Sequence, residues 1–311
     1  AAAAATMGHD HESEAQQQQQ QNLTENGKDH NKEDSPKKEE ENCSASDHFT
    51  KFNPEQYLQS FYKSAGEDLA MQVVLFFLPG ILYRLPKRIE SMLDLGAGPT
   101  VYLPIACRDR VETIYTSDYA PANRQSLQQW CEQRHSFDWT KVCTWISNIE
   151  ATHETAEVMQ QKARDKVRAI LDVNVHACPV VRNVDWKKDD SVEVPEQFDL
   201  VTTVFCLEYS GETLQEYLRA VKGACSLVKP GGYLMQGGVL DADSYNFDGK
   251  RFRSHRLMRE HVTLGLKEAG MCTDVTRGEN DYRYIGHDDI FILISKKPET
   301  TVPDLTTLRL Q

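Results

Sequence analysis

Four acidic residues, Asp94, Asp118, Asp172 and Glu208, stand at or near the ends of apolar runs, and Gly96-Ala97-Gly98 follows the first of them. Glycines directly after a buried strand give backbone dihedrals closed to other residues and let a ligand approach the main chain itself. A helix opening there, as Pro99-Thr100-Val101 implies, presents unpaired N–H groups and a positive dipole end to whatever the turn holds. Asp118 comes 24 residues after Asp94, which is where a nucleoside-binding fold accepts hydrogen bonds from ribose hydroxyls. A dinucleotide turn needs Gly or Ala at the sixth position of Gly-x-Gly-x-x-Gly, but this chain has Val101 there and Pro99 stiffening the turn. The pattern favours a nucleoside ligand without a pyrophosphate.

The elements that must carry these residues can be read in chain order. Ser91–Leu95 is apolar on both faces, as a strand covered by helices requires. Val111–Ser117, Ala169–Val173 and Phe198–Leu207 read as further strands, Tyr233–Met235 as a fifth, and Asp289–Ser295 as the last. Between them lie helical patterns near 155–167, from Leu214 to Leu227, and near 259–269 with Gly270 as a C-cap. Asn53-Pro54 starts an N-terminal helix, with Asn at the cap and Pro at the first helical position. Its Tyr57, Leu58, Phe61 and Tyr62 share one face, which the residues alone assign to packing. A second helix near 67–78 follows, and residues 137–149 connect without a periodic signal. Strands alternating with helices predict an α/β fold with a doubly wound, mainly parallel sheet of seven strands. Ligands of such sheets sit beyond the carboxyl ends of the strands, where all four acids lie.

Composition narrows the partners. Residues 1–50 hold five leading alanines, Gln16–Gln21 and a charged run from Lys28 to Glu41, so this tail lacks the apolar surface to offset its ordering entropy. With 4 Lys against 11 Asp plus Glu it carries −7 of the net −12. The remainder has no basic stripe to track phosphates, so no nucleic acid partner is expected. The domain is expected over residues 51–298 and a flexible end over 299–311. Eight cysteines without a Cys-x-x-Cys pair suit a reducing compartment. The opening residues show no charged-then-apolar leader. The longest apolar stretch, Val73–Tyr83, is about half a membrane span, so a cytoplasmic protein with no membrane contact is expected.

Leu93-Asp94-Leu95-Gly96-Ala97-Gly98, Asp118, and Leu227-Val228-Lys229-Pro230-Gly231-Gly232-Tyr233-Leu234 resemble the signature of class I S-adenosylmethionine-dependent methyltransferases. More narrowly, the chain resembles the nicotinamide, phenylethanolamine and indolethylamine N-methyltransferase family. Phe52-Asn53-Pro54 with Tyr57 and Tyr62, Gly98–Tyr102, Ser117-Asp118-Tyr119 with Asn123, Phe137-Asp138-Trp139, and Phe205-Cys206-Leu207-Glu208 carry that likeness, from about Phe52 to Lys297. The resemblance implies a Rossmann-like fold with N-terminal lid helices and S-adenosyl-L-methionine as cofactor. It also implies a small amine or pyridine as acceptor, methylated at nitrogen by a monomer. Tyr57, Tyr62, Gly96, Ala97 and Tyr102 would hold the methionine part, Asp118 and Asn123 the ribose, and Asp172 with Val173 the adenine; Gly98, Thr100 and Tyr119 would also bind the cofactor. Glu208 would face the acceptor as the catalytic carboxylate, with Tyr57, Asp241, Tyr245 and Tyr282 around the same molecule. Gly238 stands where nicotinamide-specific relatives have an aspartate, and Ala242 where the phenylethanolamine type has a glutamate.

Methyl transfer from a sulfonium moves positive charge toward the acceptor nitrogen, and a carboxylate there stabilises the charge as it develops. An alkylamine must also lose a proton, which a carboxylate can take. Two other readings stand beside this one: a catalytically silent cofactor-binding protein acting as a regulatory partner, and a dinucleotide oxidoreductase, which Val101 disfavours. His9-Asp10-His11 lies in the tail, and His255 and His261 are expected on different sides of a helix, so no metal is assigned.

Overall fold

The computed structural model describes residues 40–63, 69–275, 278 and 280–299. Most of the expected tail and most of the expected flexible end lie outside the described residues. The expected tail boundary at residue 50 does not hold. The described chain already builds β1 (Glu41–Cys43), a tight turn at Ala45–Asp47 and α1 (His48–Lys51). Cys43 is fully buried, and β1 pairs in parallel with residues 250–252. So short a strand has no period to read; its partner strand lies 209 residues away.

Local signals locate α2 (Pro54–Phe61) well. The Asn53 side chain accepts from the Gln56 N–H at 3.2 Å, and Pro54 takes the first position, where an N–H would go unused. α3 (Leu69–Arg84) runs past its expected end and through Pro79, because Ile81 and Leu82 beyond it are buried.

The central layer follows as β2 (Ile89–Leu95), α4 (Tyr102–Cys107), β3 (Val111–Asp118), α5 (Pro121–Cys131), α6 (Thr140–Glu150), α7 (Ala156–Lys166) and β4 (Val167–Val173). The chain continues through β5 (Val181–Lys187), β6 (Phe198–Val204), α8 (Leu214–Ser226), β7 (Val228–Val239), β8 (Ser244–Phe247), β9 (Lys250–Arg253), α9 (Arg259–Glu268), β10 (Tyr282–His287) and β11 (Ile290–Lys296). α6 occupies the segment that showed no period in sequence.

The sheet is doubly wound and mainly parallel, in the order β10-β11-β7-β6-β2-β3-β4-β5, with eight strands rather than seven. β7, β6, β2, β3 and β4 run parallel, whereas β5, β10 and β11 pair antiparallel with their neighbours. β5 and β10 were missed because both are edge strands. Most of their side chains are polar or exposed, so neither gives a buried apolar run.

Alternate residues of each inner strand go to opposite faces. Met92, Ile170, Leu200 and Met235 pack in one core beneath α3, α4, α6 and α7, while Leu93, Leu171, Val201 and Leu234 pack in the other beneath α8 and α9. That division explains the unbroken apolar runs in the sequence. β8 and β9 form a hairpin that, with β1, makes a small second sheet outside the main one.

Candidate active site

The glycine turn holds its shape through backbone conformation and one carboxylate. Gly96 and Gly98 have φ values of 71° and 60°, in the left-handed region. A Cβ on Gly96 would lie 2.1 Å from Cys206 Sγ, so no larger residue fits, whereas Gly98 faces open space. The Gly98 N–H donates to Asp118 Oδ2 at 2.8 Å. The Ala120 N–H and Asn123 Nδ2 donate to Asp118 Oδ1, at 2.8 and 3.0 Å. Asp118 thus ties the first strand-turn-helix to the second, and burial raises its carboxyl above the usual range despite these donors. Beneath the turn lies Asp94, 1% exposed, accepting from Thr202 Oγ1 at 3.1 Å. Its Oδ2 has no partner among the described residues, and burial raises it to about 7.

A cavity of about 880 Å³ opens in front of these strand ends. From the sequence-derived set it gathers Tyr57 of α2 and Tyr62 at its end, then Gly96, Ala97, Gly98 and Thr100 of the turn. Tyr102, Asp118, Tyr119, Asn123, Val173 and Tyr245 also line it. Asp172 does not: its carboxylate is paired with Arg182 and lies 3.3 Å from Arg124 Nη1. Asp241 turns outward at φ 58° to meet Arg256 Nε at 2.7 Å. Tyr282 sits on the edge strand, near Arg259. None of these three reaches the cavity wall.

Glu208 lies just behind that wall. β6 stops at Val204, earlier than expected, because Phe205 takes the left-handed conformation at φ 54° and cannot continue an extended strand. Cys206 therefore comes under the Gly96 turn, and a short turn at Leu207–Tyr209 follows. There the Glu208 carboxylate is 2% exposed and accepts from the Val239 N–H at 3.0 Å. Its Oε2 has no partner among the described residues, and burial raises its carboxyl to about 7. Gly238 makes room for it, since a Cβ there would lie 2.6 Å from Oε1. The neighbouring Tyr209 and Cys206 do face the cavity.

Sequence reasoning missed the opposite wall. His48 and Phe52 come from the assumed tail and its junction, Tyr209 and Glu212 from the loop after β6, and His176 from the loop after β4. Glu212 fastens this wall: its carboxylate accepts from the Ala45 N–H at 3.1 Å and from Arg253 Nε at 2.7 Å. Rings of Phe52, Tyr57, Phe61, Tyr245, Phe247 and Phe252 pack together beside it. Only the aromatic residues near Phe52 and Tyr245 hinted at this in the sequence. His255 and His261, expected apart, meet at 3.1 Å, because His255 precedes α9 and His261 lies in its first turn.

Residues 40–298 match the family described as NNMT/PNMT/TEMT. The chain belongs to that family. Among curated relatives it is 60% identical over 274 residues to nicotinamide N-methyltransferase of Caenorhabditis elegans, covering 88% of this chain and 98% of that protein. It is 27% identical over 254 residues to the human nicotinamide N-methyltransferase, covering 79% and 93%. It is 25% identical over 260 residues to mouse indolethylamine N-methyltransferase, covering 81% and 95%. The family expected from the sequence is thus the one found, and with it the class I methyltransferase fold and S-adenosylmethionine-dependent transfer to nitrogen.

The residues present suit that cofactor. Gly98 leaves open space at the cavity wall, and buried Asn123 Oδ1, next to the Asp118 carboxylate, has no partner among the described residues. Among the described residues no helix is long and apolar enough to cross a membrane.

Proposed function

We propose that this chain methylates the ring nitrogen of a pyridine carboxamide, with Tyr57, Tyr62, Gly96, Asp118 and Asn123 holding the cofactor and Glu208 acting on the acceptor side. The observation that carries the substrate class is the 60% identity with a nicotinamide N-methyltransferase over nearly that protein's whole length. The geometry agrees with it. A cavity of about 880 Å³ falls within the roughly 300–1,000 Å³ of small-molecule sites. Its tyrosine-rich wall suits a flat ring that becomes cationic, because aromatic faces attract cations.

Bound S-adenosylmethionine supplies an electrophilic methyl group on a positively charged sulfur. The chain's part is alignment, exclusion of water and charge stabilisation. Asp118 is fixed by three donors, which sets the height of the Gly98 turn against β3. The aromatic rings that pack around Tyr57 would help to keep water from the acceptor. Glu208 sits in a low-dielectric pocket with one oxygen unpartnered. A cation in the cavity favours its ionised form, and the ionised form in turn stabilises positive charge building on the nitrogen. A pyridine nitrogen already offers a lone pair, so the step needs no base.

A primary amine is the second reading, which Glu208 favours because a carboxyl raised to about 7 can take an ammonium proton. Eight cysteines without a Cys-x-x-Cys pair suit a reducing, cytoplasmic setting, and a cavity lined by residues of one chain suits a monomer.

Calorimetric titration of S-adenosylhomocysteine into the wild type and the Asp118→Ala variant tests the cofactor assignment. Labelled-methyl transfer to nicotinamide and to a panel of primary amines tests the acceptor. Binding that Asp118→Ala weakens by about a hundredfold, or about 3 kcal/mol, with transfer to nicotinamide, is expected. Transfer to amines alone would replace the pyridine reading by the second one.

A further inference from the structure

The acceptor end contains a hydrogen-bonded histidine whose partners determine the direction of every bond in its chain. His48 Nδ1 lies 2.6 Å from the Ala45 carbonyl oxygen, and His48 Nε2 lies 2.7 Å from the Tyr245 hydroxyl. A carbonyl oxygen can only accept, so Nδ1 carries the ring proton. In the neutral ring Nε2 is then a bare acceptor, and the Tyr245 hydroxyl must donate to it. With its proton committed, the Tyr245 oxygen offers only lone pairs to the cavity that both residues line.

We propose that His48 is a positioning residue that turns the Tyr245 hydroxyl into an obligate acceptor, so that the acceptor end selects molecules bearing an N–H donor, such as a carboxamide or a primary amine. This rests on the methyltransferase reading above and adds to it the polarity of the subsite. An ester or a carboxylate offers the Tyr245 oxygen no proton and is disfavoured, because a buried acceptor is then left unpaired.

The surroundings keep the ring neutral. Burial holds the His48 imidazole below its ordinary range, although Asp47 next to it pulls the other way. The other groups around it are the rings of Phe52, Phe252 and Tyr245, at centroid distances of 6.0, 4.5 and 5.8 Å. The charged Glu212–Arg253 pair bonds to the Ala45 N–H rather than to the ring. Tyr209 packs on the other side of Tyr245, with ring centroids 4.6 Å apart, and its own hydroxyl is kept protonated by burial.

Two measurements on the full chain with S-adenosylhomocysteine or S-adenosylmethionine bound test the proposal. The first is a long-range ¹⁵N–¹H correlation spectrum of histidine-labelled protein at pH 7.5, assigned with His48→Phe. The Nδ1–H tautomer is expected at His48, and an Nε2–H tautomer overturns the proposal whether or not the acceptor is a pyridine. The second compares pyridine-3-carboxamide with the methyl ester of pyridine-3-carboxylic acid, which share the ring nitrogen and differ in the donor. In His48→Phe the carboxamide-to-ester ratio of kcat/KM should fall about tenfold, through the KM of the carboxamide, with kcat and S-adenosylhomocysteine affinity nearly unchanged. Tyr245→Phe should do the same. A parallel fall for both substrates, or an unchanged ratio, overturns the selection by making His48 merely structural. Failure of the wild type to bind S-adenosylhomocysteine would instead sink the methyltransferase reading, leaving the spectrum to decide the bond direction.

Discussion

The two ends of the cavity are built by different means. At the end proposed for the cofactor, adjacent strand ends and one turn make the wall, and Asp118 ties them together 20 residues beyond Gly98. At the end proposed for the acceptor, the wall joins segments far apart in the chain: β1 against β9, Ala45 against Glu212, and His48 against Tyr245, 197 residues away. The first is fixed by the sheet. The second depends on side-chain contacts between a short N-terminal segment and a small hairpin. On the proposed assignment, the acceptor wall can change without disturbing the turn.

That contrast makes Gly96→Ala the most damaging change. Its new Cβ would meet Cys206 Sγ at 2.1 Å in a left-handed backbone, so S-adenosylhomocysteine affinity should fall about a hundredfold or more in a calorimetric titration. Gly98→Ala faces open space and carries only the backbone penalty, about 1 kcal/mol or roughly fivefold. Equal effects at both glycines would show that the close approach of Cys206 is not what shapes the turn. The double variant with Cys206→Ala should recover only part of the loss, because Cys206 Cβ also lies 2.9 Å from the new atom.

Next in size is Glu208→Gln, which keeps the shape and removes the charge. Turnover should drop about fiftyfold, while S-adenosylhomocysteine affinity stays within about twofold of the wild type. An unchanged rate would remove Glu208 from the chemistry and leave it as a buried support for Val239.

Arg253→Ala probes the assembled wall alone. It frees Glu212, and with it the Ala45 N–H, so the acceptor KM should rise about fivefold while the cofactor affinity holds. Hydrogen exchange over residues 41–51 should quicken. If exchange slows or stays as it was, the clasp is not what holds this segment.

The smallest expected effect is on the pH dependence of stability. Asp94 and Glu208 are both raised to about 7 in the fold, from 3.8 and 4.5. Between those values the native state binds more protons than the unfolded chain, so the stability they contribute is full below about pH 4 and is lost as pH rises through 7. Thermal unfolding of the ligand-free protein should therefore give a melting temperature that falls from pH 5.5 to 8. Asp94→Asn and Glu208→Gln should each flatten the slope, but only the second should lower turnover.

Legibility followed the same division. Asn53 capping α2, the strand ending at Asp118 and the turn at Gly96–Gly98 were readable, because each depends on residues within a few positions of one another. The exposed edge strands β5 and β10 were not, since without a buried face they carry no apolar period. The end of β6 was misread at Phe205, where an apolar run continues but the backbone does not. β1 and α1 were assigned to the tail because their composition is polar and their partners are distant.

By itself the sequence determined the mainly parallel α/β sheet, the glycine turn with its acidic partner, and the family, all of which rest on local period, glycine placement and motif spacing. Tertiary structure alone decided which polar groups meet the cavity. It drew Asp172 into ion pairs, turned Asp241 outward, and set Glu208 behind the wall against Val239. It also brought His48 to Tyr245. Side-chain direction at the end of a strand depends on the charges and rings that pack around it, and those come from parts of the chain that no local spacing connects.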